Sequence, residues 1–388
     1  MAVKLAVTSA VVLAMFLGLS PARAQTPQPP PPPQPQPQTQ TQPPPEKPAF
    51  TLSTEEMARE LAVLVEENLR AKKYDKALKL LKQLIFVKPD DASRHLQLGR
   101  VYLKLGRYPE AVKAFKQAIL FQADYPEAHY ALGGAYILMD QPQDALEALN
   151  RGLRLNAKSE EGFLLLGAAH LLLNHPAEAT AAYRQAAQIN PQSAAALLGR
   201  GQAHNLLGEY KEAADALNQV LRLNPRNGGA YLELAAAYSN LGQYDQGLEA
   251  CRLAVALEPA WSEAHYGLGE LYAGMGRYEE ALDAYKLALR LQPDSYQAHT
   301  GLGEALTRLD RYEDAVDSFK TAIRFKPDYA RAHFSLGLAH IDKGLRMGAL
   351  QEYDLLRTMD LHLAHTLLQC IVQEFSFDWR FRERGRLK

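Results

Sequence analysis

The chain has 388 residues, with 43 Lys and Arg against 44 Asp and Glu, a formal net charge of -1, and 47% apolar residues. Near-neutral charge gives no bulk drive towards nucleic acid or a membrane surface, so no nucleic-acid partner is expected. The apolar content is enough for a folded core, and two cysteines are too few for a disulfide framework.

Residues 1–24 read as a signal peptide. Lys4 supplies a positive start, Leu5 to Leu19 is mostly apolar, and Ala22-Arg23-Ala24 places small residues where a signal peptidase reads them. The apolar run is shorter than the about 20 residues of a comfortable membrane span, so a membrane role is expected only if the segment stays uncleaved as an anchor. This segment predicts a periplasmic or secreted protein. Residues 25–49 are almost entirely Pro, Gln and Thr. Proline fixes φ and lacks an N–H, so they are expected to form an extended, disordered linker.

From about Ala58 to Leu363 the sequence aligns on itself with a period of 34. Nine registers start at Ala58, Ala92, Pro126, Glu160, Ala194, Gly228, Ser262, Tyr296 and Ala330. Position 8 holds Gly99, Gly133, Gly167, Gly201, Ala235, Gly269, Gly303 and Gly337, with Val65 in the first register. Position 20 is Ala in every register but one, where it is Gly247. Position 32 is Pro in six: Pro89, Pro191, Pro225, Pro259, Pro293 and Pro327.

These columns have a physical reading. Apolar residues recur at helical spacing in two segments per period, such as Leu98, Val101, Tyr102, Leu105 and then Ala111, Val112, Phe115, Ile119. Gly106, Gly208, Gly242, Gly276 and Gly344 stand where the first helix stops, with Asp140, Asn174 and Asp310 in that place elsewhere. Proline at position 32 ends the second helix. Asp91, Ser193, Ser295 and Asp328 are placed to cap the next first helix. Small residues at positions 8 and 20 allow close approach, and Phe115, Tyr183, Tyr285 and Phe319 fill the space beside them.

The pattern resembles the tetratricopeptide repeat. The resemblance implies an all-α, right-handed superhelical solenoid of about nine 34-residue helix-turn-helix repeats over residues 50–374, its concave face lined mostly by first helices. Ala364 to Glu374 is expected to form a capping helix over the last apolar face. Residues 375–388 place Phe375, Phe377, Trp379 and Phe381 at every second position, followed by Arg382, Arg384, Arg386 and Lys388. This basic-aromatic tail either docks on an anionic partner, folds back on the solenoid, or is disordered.

Histidine recurs at position 4 (His95, His129, His265, His299, His333) and position 11 (His170, His204, His340). Helices pack about 8–10 Å apart, so equivalent histidines cannot share an ion at bonds near 2 Å. Packing and hydrogen bonding are expected instead. His362 and His365 beside Asp360 make an incomplete ligand set. Cys251 sits in a core column and Cys370 in the terminal helix, too far apart for a disulfide and read as free thiols. No nucleophile elbow, phosphate-cradling loop or HExxH occurs. No cofactor, metal or catalytic activity is expected.

The resemblance implies that positions 2, 5, 9, 12 and 13 face the groove. The lysine–asparagine clamp of the carboxylate-tail-binding members is missing, since position 5 has no Lys and position 9 no Asn. The candidate partner-binding residues are Tyr130, Leu138, Leu164, Leu165, Leu172, Leu198, Leu232, Tyr266 and Phe334. Residues 163–173 are apolar nearly all round, and a helix of that kind is either covered on both sides or exposes a patch. The expectation is an apolar anchoring patch in repeats three and four, with a polar extension through Glu270, Gln297, Thr300, Glu304 and Arg308. The function expected is a cell-envelope scaffold for protein or peptide partners. The alternative is a glycan-binding or polysaccharide-export scaffold, with Tyr130, Tyr266 and Phe334 stacking on sugars.

Overall fold

The structure is a computed structural model that describes residues 53–384, with side chains to residue 375. The expected signal peptide and linker lie outside the described residues. The described chain is helical throughout: α1 Thr54–Arg70, α2 Tyr74–Val87, α3 Ala92–Lys104, α4 Tyr108–Phe121, α5 Pro126–Leu138, α6 Pro142–Leu155, α7 Glu160–Leu172, α8 Pro176–Ile189 and α9 Ala194–Leu207. It continues with α10 Tyr210–Leu223, α11 Gly228–Asn240, α12 Tyr244–Leu257, α13 Ser262–Gly274, α14 Tyr278–Leu291, α15 Tyr296–Arg308, α16 Tyr312–Phe325, α17 Ala330–Asp342, α18 Arg346–Met359 and α19 Leu361–Arg384. Successive pairs form the repeats, from α1–α2 to α17–α18. The chain divides into two compact units after Gly199, inside α9.

The turn inside each pair is made one way. Its residue at position 15 has a positive φ in all nine pairs: Lys72, Gly106, Asp140, Asn174, Gly208, Gly242, Gly276, Asp310 and Gly344. Glycine enters this left-handed region without steric cost, and Asp and Asn tolerate it. Lys72, with φ 54°, has neither advantage.

Pairs close by fitting a glycine against a large side chain, a ring at Gly99, Gly167, Gly269 and Gly303 and a leucine at Gly133 and Gly201. A Cβ on Gly99 would lie 2.3 Å from Phe115, and one on Gly269 would lie 2.4 Å from Tyr285. Repeat six differs: Ala235 stands at position 8, and position 24, a ring or leucine in the repeats just named, is the short, buried Cys251. Position 20 there becomes Gly247, where a Cβ would meet Leu271 at 2.7 Å.

Asp91, Ser193 and Ser295 each accept a backbone N–H at a helix start, as do Ser159 and Asn227. Asp328 departs from expectation. The cap position before α17 is Tyr329, which makes no side-chain cap bond. The last helix also runs further than expected. Asp360 accepts the N–H groups of His362 and Leu363 at its start, and no Gly or Pro interrupts it before Gly385. The anticipated tail therefore begins inside a helix. Ala364, Leu367 and Ile371 of α19 bury against Ile341, Ala349 and Leu356.

Candidate functional site

In the first unit, the expected apolar patch is absorbed by the core. Leu165 is 0% exposed, packed with Tyr130, Ile137, Leu149, Ala168 and Ala169. Tyr130 is 2% exposed, and its single hydroxyl proton is shared between the carbonyls of Asn156 (2.8 Å) and Gly152 (3.1 Å). Leu164 and Leu198 are also buried, while Leu138 and Leu172 are half-buried. This corrects the surface reading: α7 is apolar all round because neighbours cover it. A partner cannot reach Tyr130, Leu164, Leu165 or Leu198 without opening the fold.

In the second unit, Leu232, Tyr266 and Phe334 are half-buried. Phe334 packs on the last core cluster beside α19. Tyr266 instead borders a polar cluster built by three successive first helices. Arg331 of α17 forks onto Glu304 of α15, with Nε to Oε1 at 2.9 Å and Nη2 to Oε2 at 2.5 Å. Its Nη1 reaches Glu270 of α13, two repeats back, at 3.4 Å. Ser335 donates to Glu304 (2.9 Å), and the Tyr285 hydroxyl donates to Glu270 (2.6 Å). The Tyr266 and Tyr285 rings lie 5.8 Å apart, and Tyr296 meets Tyr329 edge-on at 4.7 Å.

The electrostatics follow from this geometry. Burial alone would lower the Arg331 pKa, but the Glu304 hydrogen bonds and the Glu270 charge outweigh it and raise it, so the guanidinium stays charged. Burial, and then the Glu270 charge, push the Tyr266 and Tyr285 hydroxyls above the usual phenol range. Arg331 and both carboxylates remain part-exposed to solvent, so each contact stabilises the fold by no more than ~1 kcal/mol. A fork onto a carboxylate fixes direction as well as charge. Arg331 keeps N–H donors free for an arriving acceptor, beside two carboxylates open to an arriving donor.

The sequence reading placed Tyr266, Glu270 and Glu304 in this region but missed Arg331 and Ser335. The signal lay in the register. A polar residue at position 9 meets one at position 6 of the next repeat three times: Glu66 with Gln97, Gln202 with Glu233, and Glu304 with Ser335. Glu233 also accepts from Asn205 at 3.0 Å, yet burial still raises its pKa. The spacing of Glu270 and Arg331 recurs with signs reversed in the first unit. There burial raises the Glu161 pKa, opposed by the Arg100 charge.

The position-4 histidines serve the fold. His95, His129, His265, His299 and His333 each donate from Nε2 to the carbonyl six residues back, at 2.8–3.2 Å. That carbonyl belongs to position 32, where the preceding second helix has ended. The rings of His95 and His299 stack on Phe121 and Phe325. His333 alone among these also presents Nδ1 to a carboxylate, Glu352, at 2.6 Å in a nearly buried site. That bond raises its pKa, with burial opposing. A raised folded-state pKa contributes stability that is full below the unfolded value and is lost as pH rises through the folded value. Wild type is therefore expected to melt above His333→Gln at about pH 5–6, with the gap closing as pH climbs past about 6.5. Thermal melts across pH check this; a gap that widens with pH would contradict it.

Cys251 is buried and free, its thiol donating to the Ala264 carbonyl (3.2 Å), and burial pushes its pKa up to about 12. Cys370 is also free. Among the described residues no three His, Cys, Asp or Glu side chains are grouped to hold a metal ion, and no helix is long and apolar enough to cross a membrane.

Family models described as tetratricopeptide repeats match residues 99–140, 126–159, 164–228, 205–271, 266–329 and 301–360. Among solved structures, a tetratricopeptide repeat protein from Parabacteroides merdae is similar at 18% identity and TM-score 0.56, over 64% of this chain and 98% of that one. A chain of the APC/C hetero-tetramer Cut9-Hcn1 is similar at 15% identity and TM-score 0.50, over 82% of this chain and 87% of that one. These similarities concern the fold. No curated protein matches the sequence.

Proposed function

The chain belongs to the tetratricopeptide repeat family, whose fold supports protein–protein interaction, and from that premise we propose that it is a non-catalytic scaffold of the cell envelope binding peptide segments or protein partners on its first-helix face. The observation that carries the proposal is the cluster of Glu270, Glu304 and Arg331 beside Tyr266. It offers fixed donors, fixed acceptors and an aromatic edge on adjacent first helices. The envelope setting rests on the N-terminal segment of the sequence.

The peptide reading is favoured over the glycan one by the aromatics. Sugar stacking needs an open ring face, but Tyr130 is buried and Tyr266 and Phe334 are half-buried. Cross-linking capture from an envelope fraction, run beside a glycan array, tests the choice. The expected result is a protein partner retained by wild type and weakened about tenfold or more by Arg331→Glu, which sets three carboxylates together. Glycan binding without protein capture would overturn the proposal, as would capture indifferent to Arg331→Glu with the fold intact.

A further inference from the structure

The near-neutral total hides a strong local imbalance. Between Arg70 and Lys116, thirteen Lys and Arg stand against four Asp and Glu. The structure collects part of this charge on the outer sides of the second helices of repeats one and two. Lys79 and Lys82 of α2, and Lys113 and Lys116 of α4, occupy equivalent positions 22 and 25, and all four are exposed. None of them forms a salt bridge. Lys82 and Lys116 instead lie 6.0 and 5.7 Å from the Tyr102 and Tyr136 ring centres.

One further turn along each helix, at position 29, stand the two most exposed large apolar residues of the described chain: Phe86 at 89% and Leu120 at 70%. No other repeat combines these features. Position 29 elsewhere is Arg, Gln, Ala or Thr, and position 22 becomes Glu147, Asp215, Glu249, Asp283 and Asp317 in five later repeats. Helix packing does not require the difference, because both positions face solvent.

We propose that this face of repeats one and two docks on an anionic phospholipid surface. Phe86 and Leu120 project from helix ends rather than line a recess, so they can enter an acyl layer that has no shape of its own to match. The lysines lie one and two turns away on the same faces, at the distance where flexible ammonium groups reach lipid phosphates. Two shallow apolar insertions alone hold weakly, and the four lysines, none in a salt bridge, supply the second attraction that stable surface binding needs. An acidic protein could match the charge, but would need a pocket for each projecting side chain.

Vesicle flotation of the full chain tests this, using phosphatidylcholine vesicles with and without phosphatidylglycerol. Wild type is expected to float with the phosphatidylglycerol vesicles, much less with phosphatidylcholine alone, and to be released by added salt. Phe86→Ser with Leu120→Ser, and separately Lys79→Glu with Lys113→Glu, are each expected to weaken flotation about tenfold or more while leaving the thermal melt unchanged. The N-terminal apolar segment is identical in all variants, so differences between them belong to this face. Equal flotation on both vesicle types, or flotation indifferent to both double variants, would overturn the proposal. So would capture of wild type by polyglutamate without vesicle binding.

Discussion

Leu165→Glu is expected to destabilise the first unit by about 3–5 kcal/mol, the largest effect of any single change considered for this chain. Leu165 has no exposed surface and is surrounded by Tyr130, Ile137, Leu149, Ala168 and Ala169, none of which can pair with a carboxylate. The single Tyr130 hydroxyl proton is already engaged by backbone carbonyls. The introduced group must stay protonated, drag in water, or open the repeat. Because a repeat array is stabilised by nearest-neighbour contacts, the loss should show as an early urea transition of the neighbouring repeats. Leu172→Glu, at a half-buried position, is expected to cost far less. An anchoring patch would behave in the opposite way, losing a partner while keeping its stability. Urea titration of both variants separates the two cases.

Gly269→Ala is expected to cost about 1–3 kcal/mol, although alanine is the better helix former by about 1 kcal/mol. The added Cβ falls 2.4 Å from a ring atom of Tyr285, which is buried and tethered to Glu270 by its hydroxyl. The ring cannot swing aside without breaking that bond. Repeat six shows how the chain accepts alanine at this position, since there position 24 is Cys251 instead of a large side chain. Gly269→Ala with Tyr285→Cys should therefore be less destabilised than the sum of its two single changes. A thermal double-mutant cycle reads the coupling, and strict additivity would show that the glycine–ring fit does not set the column.

The parts of the fold that were legible in the sequence are those where the backbone leaves no choice. A left-handed turn residue, a proline that ends a helix and a glycine under a large side chain restrict residue type strongly, so their columns stand out at period 34. Depth of burial was less legible. Apolar residues at Leu164 and Leu165 are consistent with an open patch or with cover from both neighbours, and only packing decides between them. The polar cluster was half legible. Glu270 and Glu304 share a column, but Arg331 lies 27 and 61 residues further on and acquires its meaning through the register that stacks position 2 near position 9. Summed charge misled for a related reason: a total of -1 averages a basic stretch in repeats one and two with acidic stretches elsewhere.

The histidine column shows how a repeat can mimic a site. Regular histidines suggest a metal ladder, yet each spends Nε2 on a carbonyl at the end of the preceding second helix. The regularity reflects one structural need met five times.

Site-specific photo-cross-linking in the native compartment tests the central claim most directly, with the photoreactive residue at Gln297 or at Asp283. Gln297 lies one repeat before Arg331 in the same first-helix column, whereas Asp283 is exposed on the second helix α14. Binding on the first-helix face predicts an adduct with one protein partner from Gln297 and none from Asp283. An adduct from Asp283 with none from Gln297 would contradict it.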